Sequence, residues 1–311
     1  MRYNSNPMAK YTIKDFRTQY PTDAICLDKI FQLRYGKITH CPDCGCETTF
    51  KRITTRRAYQ CRHCYAQFYP TAGTVFEKTT TPLTSWFYVI YLFTTTRNGV
   101  AAKEIERQLG CTYKTAWRMG HKIRELISGI DPEKLKGFVE FDESYEGGKL
   151  TNKSLSKRAE FYANQPNERV VVGRNTDGKT PVFAMVERQG RVRAFVVPVI
   201  RKNAIYKLIK ENVDTTAIVS TDESPLYTNL RVELDFDNHG RVNHSKDEYK
   251  RGVYCTNTAE GFFSQLKRTI KGTHIHVSRK HLQKYVDEVA FRYMQKDKQA
   301  TMFETILSHV V

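Results

Sequence analysis

Two short stretches, Asp142-Glu143-Ser144 and Asp222-Glu223-Ser224, each follow an apolar, β-like run, so each sets carboxylates where a sheet meets solvent. A third acidic group, Glu260, falls in the first turn of a helix expected from Asn257 to Lys271. Lys267 lies seven residues further, two turns along the same face. Three carboxylates on two strand ends and one helix can hold a pair of Mg²⁺ or Mn²⁺ ions about 4 Å apart. Such a pair activates a water or hydroxyl and steadies the leaving oxygen of a phosphodiester. Asn257, three residues before Glu260, offers only a neutral carbonyl oxygen or a helix cap. On charge, Glu260 is the third ligand. A lone Asp at a strand end equally suits a turn or cap, and Glu143 and Glu223 are auxiliary because they point to the opposite side.

A second set suits a softer metal. Cys41-x2-Cys44 and Cys61-x2-Cys64 are separated by 16 residues and flank the β-like segment "TTFKRITTRRAYQ". Four thiolates at this spacing close a tetrahedral zinc site, the staple that a hairpin with little core of its own needs. Cys46 is a spare beside the first knuckle, His63 points outward, and Cys26, Cys111 and Cys255 are isolated and expected in the core. The first residues have no apolar signal core, and no apolar run approaches the roughly 18 residues of a membrane span. A cytoplasmic, reducing setting with no membrane partner is the expectation, which favours metal over disulfides.

The elements that must position these groups follow from periodicity and charge. Residues 1–40 form a helical lead-in in two pieces broken at Pro21, 41–70 the zinc ribbon, and 83–130 a DNA-binding region. There, "PLTSWFYVIYLFTTT" is a buried helix. A short helix then ends at Gly110, and Thr112 caps a longer basic helix, the helix-turn-helix pattern. The longer helix offers Tyr113, Lys114, Thr115, Arg118 and Lys122 to DNA, and Arg268 and Lys271 beyond Lys267 offer further phosphate contacts. An ordinary helical hairpin with a solvated charged face is the alternative. The chain's net charge is +17, and residues 1–136 hold 22 Lys/Arg against 11 Asp/Glu, which points to a polyanionic partner, nucleic acid before membrane; with the helix-turn-helix pattern, double-stranded DNA is the expectation. From 137 to 311 the pattern is α/β with a mixed sheet. Strands are expected at 138–142, 169–174, 181–187, 192–197 and 216–221, helices at 202–213, 257–271 and 280–294, and a loop at 151–168.

In order, "CPDCG…YQCRHC", "EIERQLGCTYKTAWRM", "VEFDESYEGGK", "STDESPLY", "VNHSKDEY" and "TNTAEGFFSQLKR" make the chain resemble bacterial insertion-sequence transposases of the DDE superfamily, the group with an N-terminal zinc ribbon. The resemblance runs nearly end to end. It implies an RNase H-like catalytic domain, Mg²⁺-dependent strand cutting and joining, Asp142 and Asp222 as the first two metal ligands on neighbouring strands, and a homo-oligomer on DNA. Gly261, Phe262 and Phe263 depart from the group's pattern without removing a ligand, and the resemblance leaves the third ligand open between Glu260 and Asn257, because members of the group use an Asn in that role. Two rival readings remain: an RNase H-like nuclease that does not join strands, and a zinc-ribbon regulator without catalysis.

Overall fold

The computed structural model describes residues 11–129, 133–148, 152–163, 178–188, 190–246, 248 and 250–310. They divide into two compact units, one of 1–130 with 295–311, the other of 131–294.

The first unit opens with α1 (Ile13–Gln19) and α2 (Asp23–Tyr35), each started by a threonine. Thr12 and Asp15 form a reciprocal capping box, and the Thr22 hydroxyl accepts from the Ile25 N–H. A small antiparallel sheet follows, β1 (Phe50–Ile53), β2 (Ala58–Cys61) and β3 (Gln67–Phe68) in that order. Then come α3 (Leu83–Thr95), α4 (Ala102–Leu109) and α5 (Tyr113–Ile127). Pro82 gives α3 no side-chain cap; instead Asp23, distant in sequence, accepts the N–H groups of Leu83 and Thr84 at 3.0 and 2.9 Å. Those bonds and the Arg57 guanidinium hold the Asp23 carboxyl below its ordinary range despite the opposing effect of burial. Gly110 ends α4 in the left-handed region at φ 63°, and the Thr112 hydroxyl caps α5 at Thr115.

The domain expected over 137–311 does not coincide with the second compact unit, which ends at Met294. Residues 295–311 group with the first unit, where α11 (Gln299–Ser308) brings Phe303 onto Phe16, Tyr20 and Phe87. Lys29 pairs with Glu304 at 2.7 Å. The sequence reading assigned no element there, because a short apolar helix does not disclose which distant cluster it completes.

The second unit is mixed α/β, with the strand order of an RNase H-like domain. Its strands are β4 (Phe138–Glu146), β5 (Thr180–Glu187), β6 (Val192–Val196), β7 (Ile218–Thr221) and β8 (Asn238–Arg241), ordered β6-β5-β4-β7-β8. β5 is antiparallel to both neighbours, and β4, β7 and β8 run parallel. α6 (Leu155–Ala163) lies before β5, α7 (Lys202–Asn212) before β7 and α8 (Leu230–Glu233) before β8. A hairpin of β9 (Lys250–Arg251) and β10 (Tyr254–Cys255) leads into α9 (Asn257–Thr269), a π-helical turn at Ile270–His274, and α10 (Leu282–Met294). One face of the sheet packs Val139, Phe141, Phe183 and Val219 against Ile205 and Ile209 of α7. The other packs Val182, Ala184 and Val186 against Phe262, Leu266, Val286 and Val289 of α9 and α10.

Two expectations change. β4 continues to Glu146, so Asp142 sits in mid-strand opposite Ala184 rather than at a strand end. The alternation continued through Asp142, Ser144 and Glu146, and polar residues on an inner face hid it. α6 occupies part of the expected loop; its Leu155 is 77% exposed, so no apolar stripe announced it. The strand expected at 169–174 lies outside the described residues.

Candidate active site and zinc centre

Alternation along β4 puts Val139 and Phe141 into the α7-side core and turns Glu140, Asp142, Ser144 and Glu146 towards α9. Four successive polar side chains on an inner sheet face is the mark of a site rather than of a core. Asp142, Glu143 and Ser144 line a cleft of about 330 Å³ with Glu260, Phe263, Ser264 and Lys267. The four α9 residues are spaced i, i+3, i+4, i+7, one stripe of the helix. Phe262 is buried in the core beside it, Phe263 of the stripe is itself buried at the cleft floor, and a Cβ at Gly261 would meet open space.

β4 and β7 pair in parallel with Glu140 opposite Ser220 at the end of the ladder. The same register carried two residues on sets Asp142 beside Asp222, which directly follows β7. Burial pushes the Asp142 carboxyl up to about 7; the Glu143 N–H, at 2.8 Å, opposes this, the charges of Asp222 and Glu260 add to it, and Lys267 offsets part. Asp222 is fixed by its own loop. Ser224 N–H donates to its Oδ1 at 3.0 Å, and the Arg241 guanidinium donates to the carbonyls of Glu223 and Ser224. The Glu223 carboxylate accepts the Ser245 N–H at 3.2 Å.

Two residues that the sequence reading missed shape the cleft from below. Glu140 is fully buried and accepts the N–H groups of Thr258 and Ala259, at 2.7 and 3.1 Å, from the first turn of α9. Its other partners are the Thr258 hydroxyl at 3.0 Å, Arg188 Nε at 2.7 Å and the Cys255 thiol at 3.5 Å. Thr256 gives α9 no side-chain cap, so this strand carboxylate caps the helix and pins it two residues from Asp142. The polar residues alternating along β4 were the only local sign. Tyr227, buried, donates its hydroxyl to Glu143 Oε1. Burial holds the Glu143 carboxyl at about 8; the Tyr227 bond acts against this, and the charges of Asp222 and Asp142 reinforce it.

The structure therefore brings Asp142, Glu260 and Lys267 to one cleft and Asp222 to its edge. Asn257 is exposed at the start of α9 and is not among the lining residues. Arg268, exposed, donates to the Ser264 hydroxyl at 3.3 Å, and Lys271 is exposed on the π-helical turn. The donor set fits hard divalent cations, because close carboxylates repel one another until a cation is shared. Among the described residues, the groups of three or more whose ligand atoms all lie within 4.8 Å are built on cysteines, one of them with His63, so the three carboxylates stand wider than a single-ion cage.

In the ribbon, Cys41, Cys44, Cys61 and Cys64 converge, with ligand atoms all within 4.8 Å of one another, and none is in a disulfide. Two tight turns aim the pairs: Gly45 N–H bonds Cys41 O at 2.8 Å, and Tyr65 N–H bonds Cys61 O at 3.2 Å. This is a structural zinc site, with all four positions filled by protein sulfur. Cys46, with Cys44 and His63, makes a second, more exposed trio beside it.

On α5, Tyr113, Lys114, Arg118 and Lys122 are exposed. Lys103 lies 5.1 Å from the Tyr113 ring, and Lys122 pairs with Glu125 at 2.9 Å. Thr115 is half-buried and bonded into the cap with Thr112.

Comparison with known proteins agrees with this geometry. Residues 134–294 match the family model described as the ISXO2-like transposase domain, and 21–67 match the transposase zinc-ribbon domain. A protein of Halobacterium salinarum, described as an uncharacterized protein in transposable element ISH50, is 26% identical over 285 residues. The match covers 89% of this chain and 94% of that protein. No helix among the described residues is long and apolar enough to cross a membrane.

Proposed function

Because the chain belongs to the ISXO2-like transposase family, we propose that it recognises the ends of a mobile DNA element, hydrolyses a phosphodiester there and joins the freed 3′-OH to target DNA. The convergence of Asp142, Glu260 and Lys267 in one cleft, with the Asp222 charge acting on Asp142, carries this reading. Asp142, Asp222 and Glu260 would hold two Mg²⁺ or Mn²⁺ ions. When bound, such ions lower the pKa of the attacking oxygen and balance charge on the leaving one.

The chain's own residues do the rest. Lys267, at the open end of the stripe, binds a phosphate oxygen, and Arg268 and Lys271 extend that contact along the backbone. Glu140 and the Arg241 bonds hold α9 and the Asp222 loop, so the carboxylates are set before substrate arrives. Unit one reads the ends: the ribbon is the scaffold, and α4, the Gly110 turn and α5 act as a helix-turn-helix with Tyr113, Lys114, Arg118 and Lys122 outward. Two ends handled together call for a homo-oligomer on DNA, acting in the cytoplasm.

A joining assay with Mg²⁺ and pre-cut element ends tests the function. The parent should cut and join, whereas Asp142→Ala and Asp222→Ala should bind ends and do neither. Cutting without joining would leave a nuclease; binding without either would leave a regulator. For the third ligand, Glu260→Gln should lose cleavage and Asn257→Ala keep a measurable part, since Glu260 lines the cleft and Asn257 does not. The reverse result moves the role to Asn257.

A further inference from the structure

Directly beyond the catalytic helix, the chain makes a turn that a β-branched residue should avoid. Ile275 has φ 63° and ψ −53°, and His276 N–H bonds back to His274 O at 2.6 Å, the geometry of a γ-turn of the strained hand. Tyr65, Lys78 and Asp235 also have positive φ among the described non-glycine residues, but Ile275 alone of these four is β-branched. Its side chain is 82% exposed. A surface turn without a role would place glycine or asparagine there.

The surroundings hold this turn still. The His274 ring packs edge-on against Tyr285 of α10 at 4.6 Å, Ile270 is buried, and Val277 packs on the core between α9, α10 and the sheet. The apolar tip thus stands on a fixed base. From Gly261 to Val286 the chain carries six Lys/Arg and no carboxylate. An apolar side chain pushed outward from a purely cationic segment, eight residues beyond the phosphate-binding Lys267, matches the chemistry of a duplex: phosphates outside, stackable apolar faces within.

We propose that Ile275 is an apolar wedge that enters a base step of the DNA beside the cleft and unstacks it. This rests on the transposase reading and adds to it a local opening of the duplex at the point of cutting. Lys271, Arg279 and Lys280, all exposed, hold the flanking phosphates while the isoleucine stands in for a base neighbour.

The test uses full-length protein and short duplexes tiled across the DNA flanking its gene, each with one adenine replaced by 2-aminopurine, in Ca²⁺ so that strands stay intact. Parent protein should brighten the probe at one step. Ile275→Gly should fold at least as well, since glycine takes this φ freely, and should bind with the same salt dependence but leave every probe quenched. Ile275→Phe should restore the brightening. Equal brightening by parent and Ile275→Gly, or none by a parent that binds and, in Mg²⁺, cuts, would overturn the wedge while leaving the transposase reading intact. A parent that unstacks a step but never cuts or joins in Mg²⁺ would support the wedge and remove the transposase reading. If Ile275→Gly instead lowers the oligomeric state of the free protein, the residue is a contact between copies and the wedge is refuted.

Discussion

Replacing Glu140 should separate the fold of the catalytic unit from the aim of its helix. The carboxylate is fully buried and, among the described residues, serves five donors: two backbone N–H groups of α9, the Thr258 hydroxyl, Arg188 Nε and the Cys255 thiol. Glu140→Ala leaves the guanidinium and both helix-end N–H groups without their acceptor. Removing one partner of a buried ion pair costs about 3–5 kcal/mol, of which the lost cap is about 1 kcal/mol. Glu140→Gln keeps the shape and one acceptor oxygen but loses the charge, so a smaller loss than for Ala is expected. Trp86 and Trp117 both belong to the other unit, so tryptophan fluorescence will not report this loss. Amide hydrogen exchange at Thr258 and Ala259 will, and it should speed up in both variants. Cleavage by Glu140→Gln should need more Mg²⁺ for half-maximal rate, because α9 no longer presents Glu260 at a fixed distance from Asp142. A Gln variant with parental exchange and parental Mg²⁺ dependence would refute the capping argument.

Purified protein should carry about one zinc per chain, and Cys61→Ser should lose it and unfold the ribbon, since such sites contribute on the order of 10 kcal/mol; metal analysis and circular dichroism read both. Deleting 295–311 removes Met302, Phe303, Ile306 and Leu307, each at most 3% exposed, so the first unit should lose about 6 kcal/mol or more and its tryptophan signal should melt early. The second unit should keep its exchange protection. Burial and then the charge of Arg241 hold His239 down at about 4, below its ordinary 6.5, so the neutral ring stabilises the fold above pH 6.5 and that contribution is lost as pH falls towards 4. Allowing for partial exposure this is about 2 kcal/mol, and His239→Gln should flatten the acid limb of a stability curve relative to parent. In metal-free protein Asp142 and Glu143, raised to about 7 and about 8, act with the opposite sign: their contribution favours the fold at low pH and is lost as pH rises towards those values. The comparison with His239→Gln cancels them, since both proteins carry them.

What the sequence by itself determined is local. The spacing of the four cysteines is enough to specify their site, because a knuckle is a turn of a few residues and zinc selects sulfur at that reach. Gly110 and Thr112 likewise fix the joint between α4 and α5, one through a left-handed backbone and the other through a cap. Glu260 and Lys267 share a face because a helix repeats on its own. The tertiary structure decided everything that depends on partners far along the chain. Neither α3 nor α9 is capped by its own sequence; Asp23 and Glu140, about 60 and 118 residues away, do it, and no window of neighbouring residues contains that information. Asp142 and Asp222 share an eighty-residue offset that means nothing until β4 and β7 pair in that register. The placement of α11 with the first unit rests on the same physics: an apolar stripe states that a helix must be covered, and only packing decides by what.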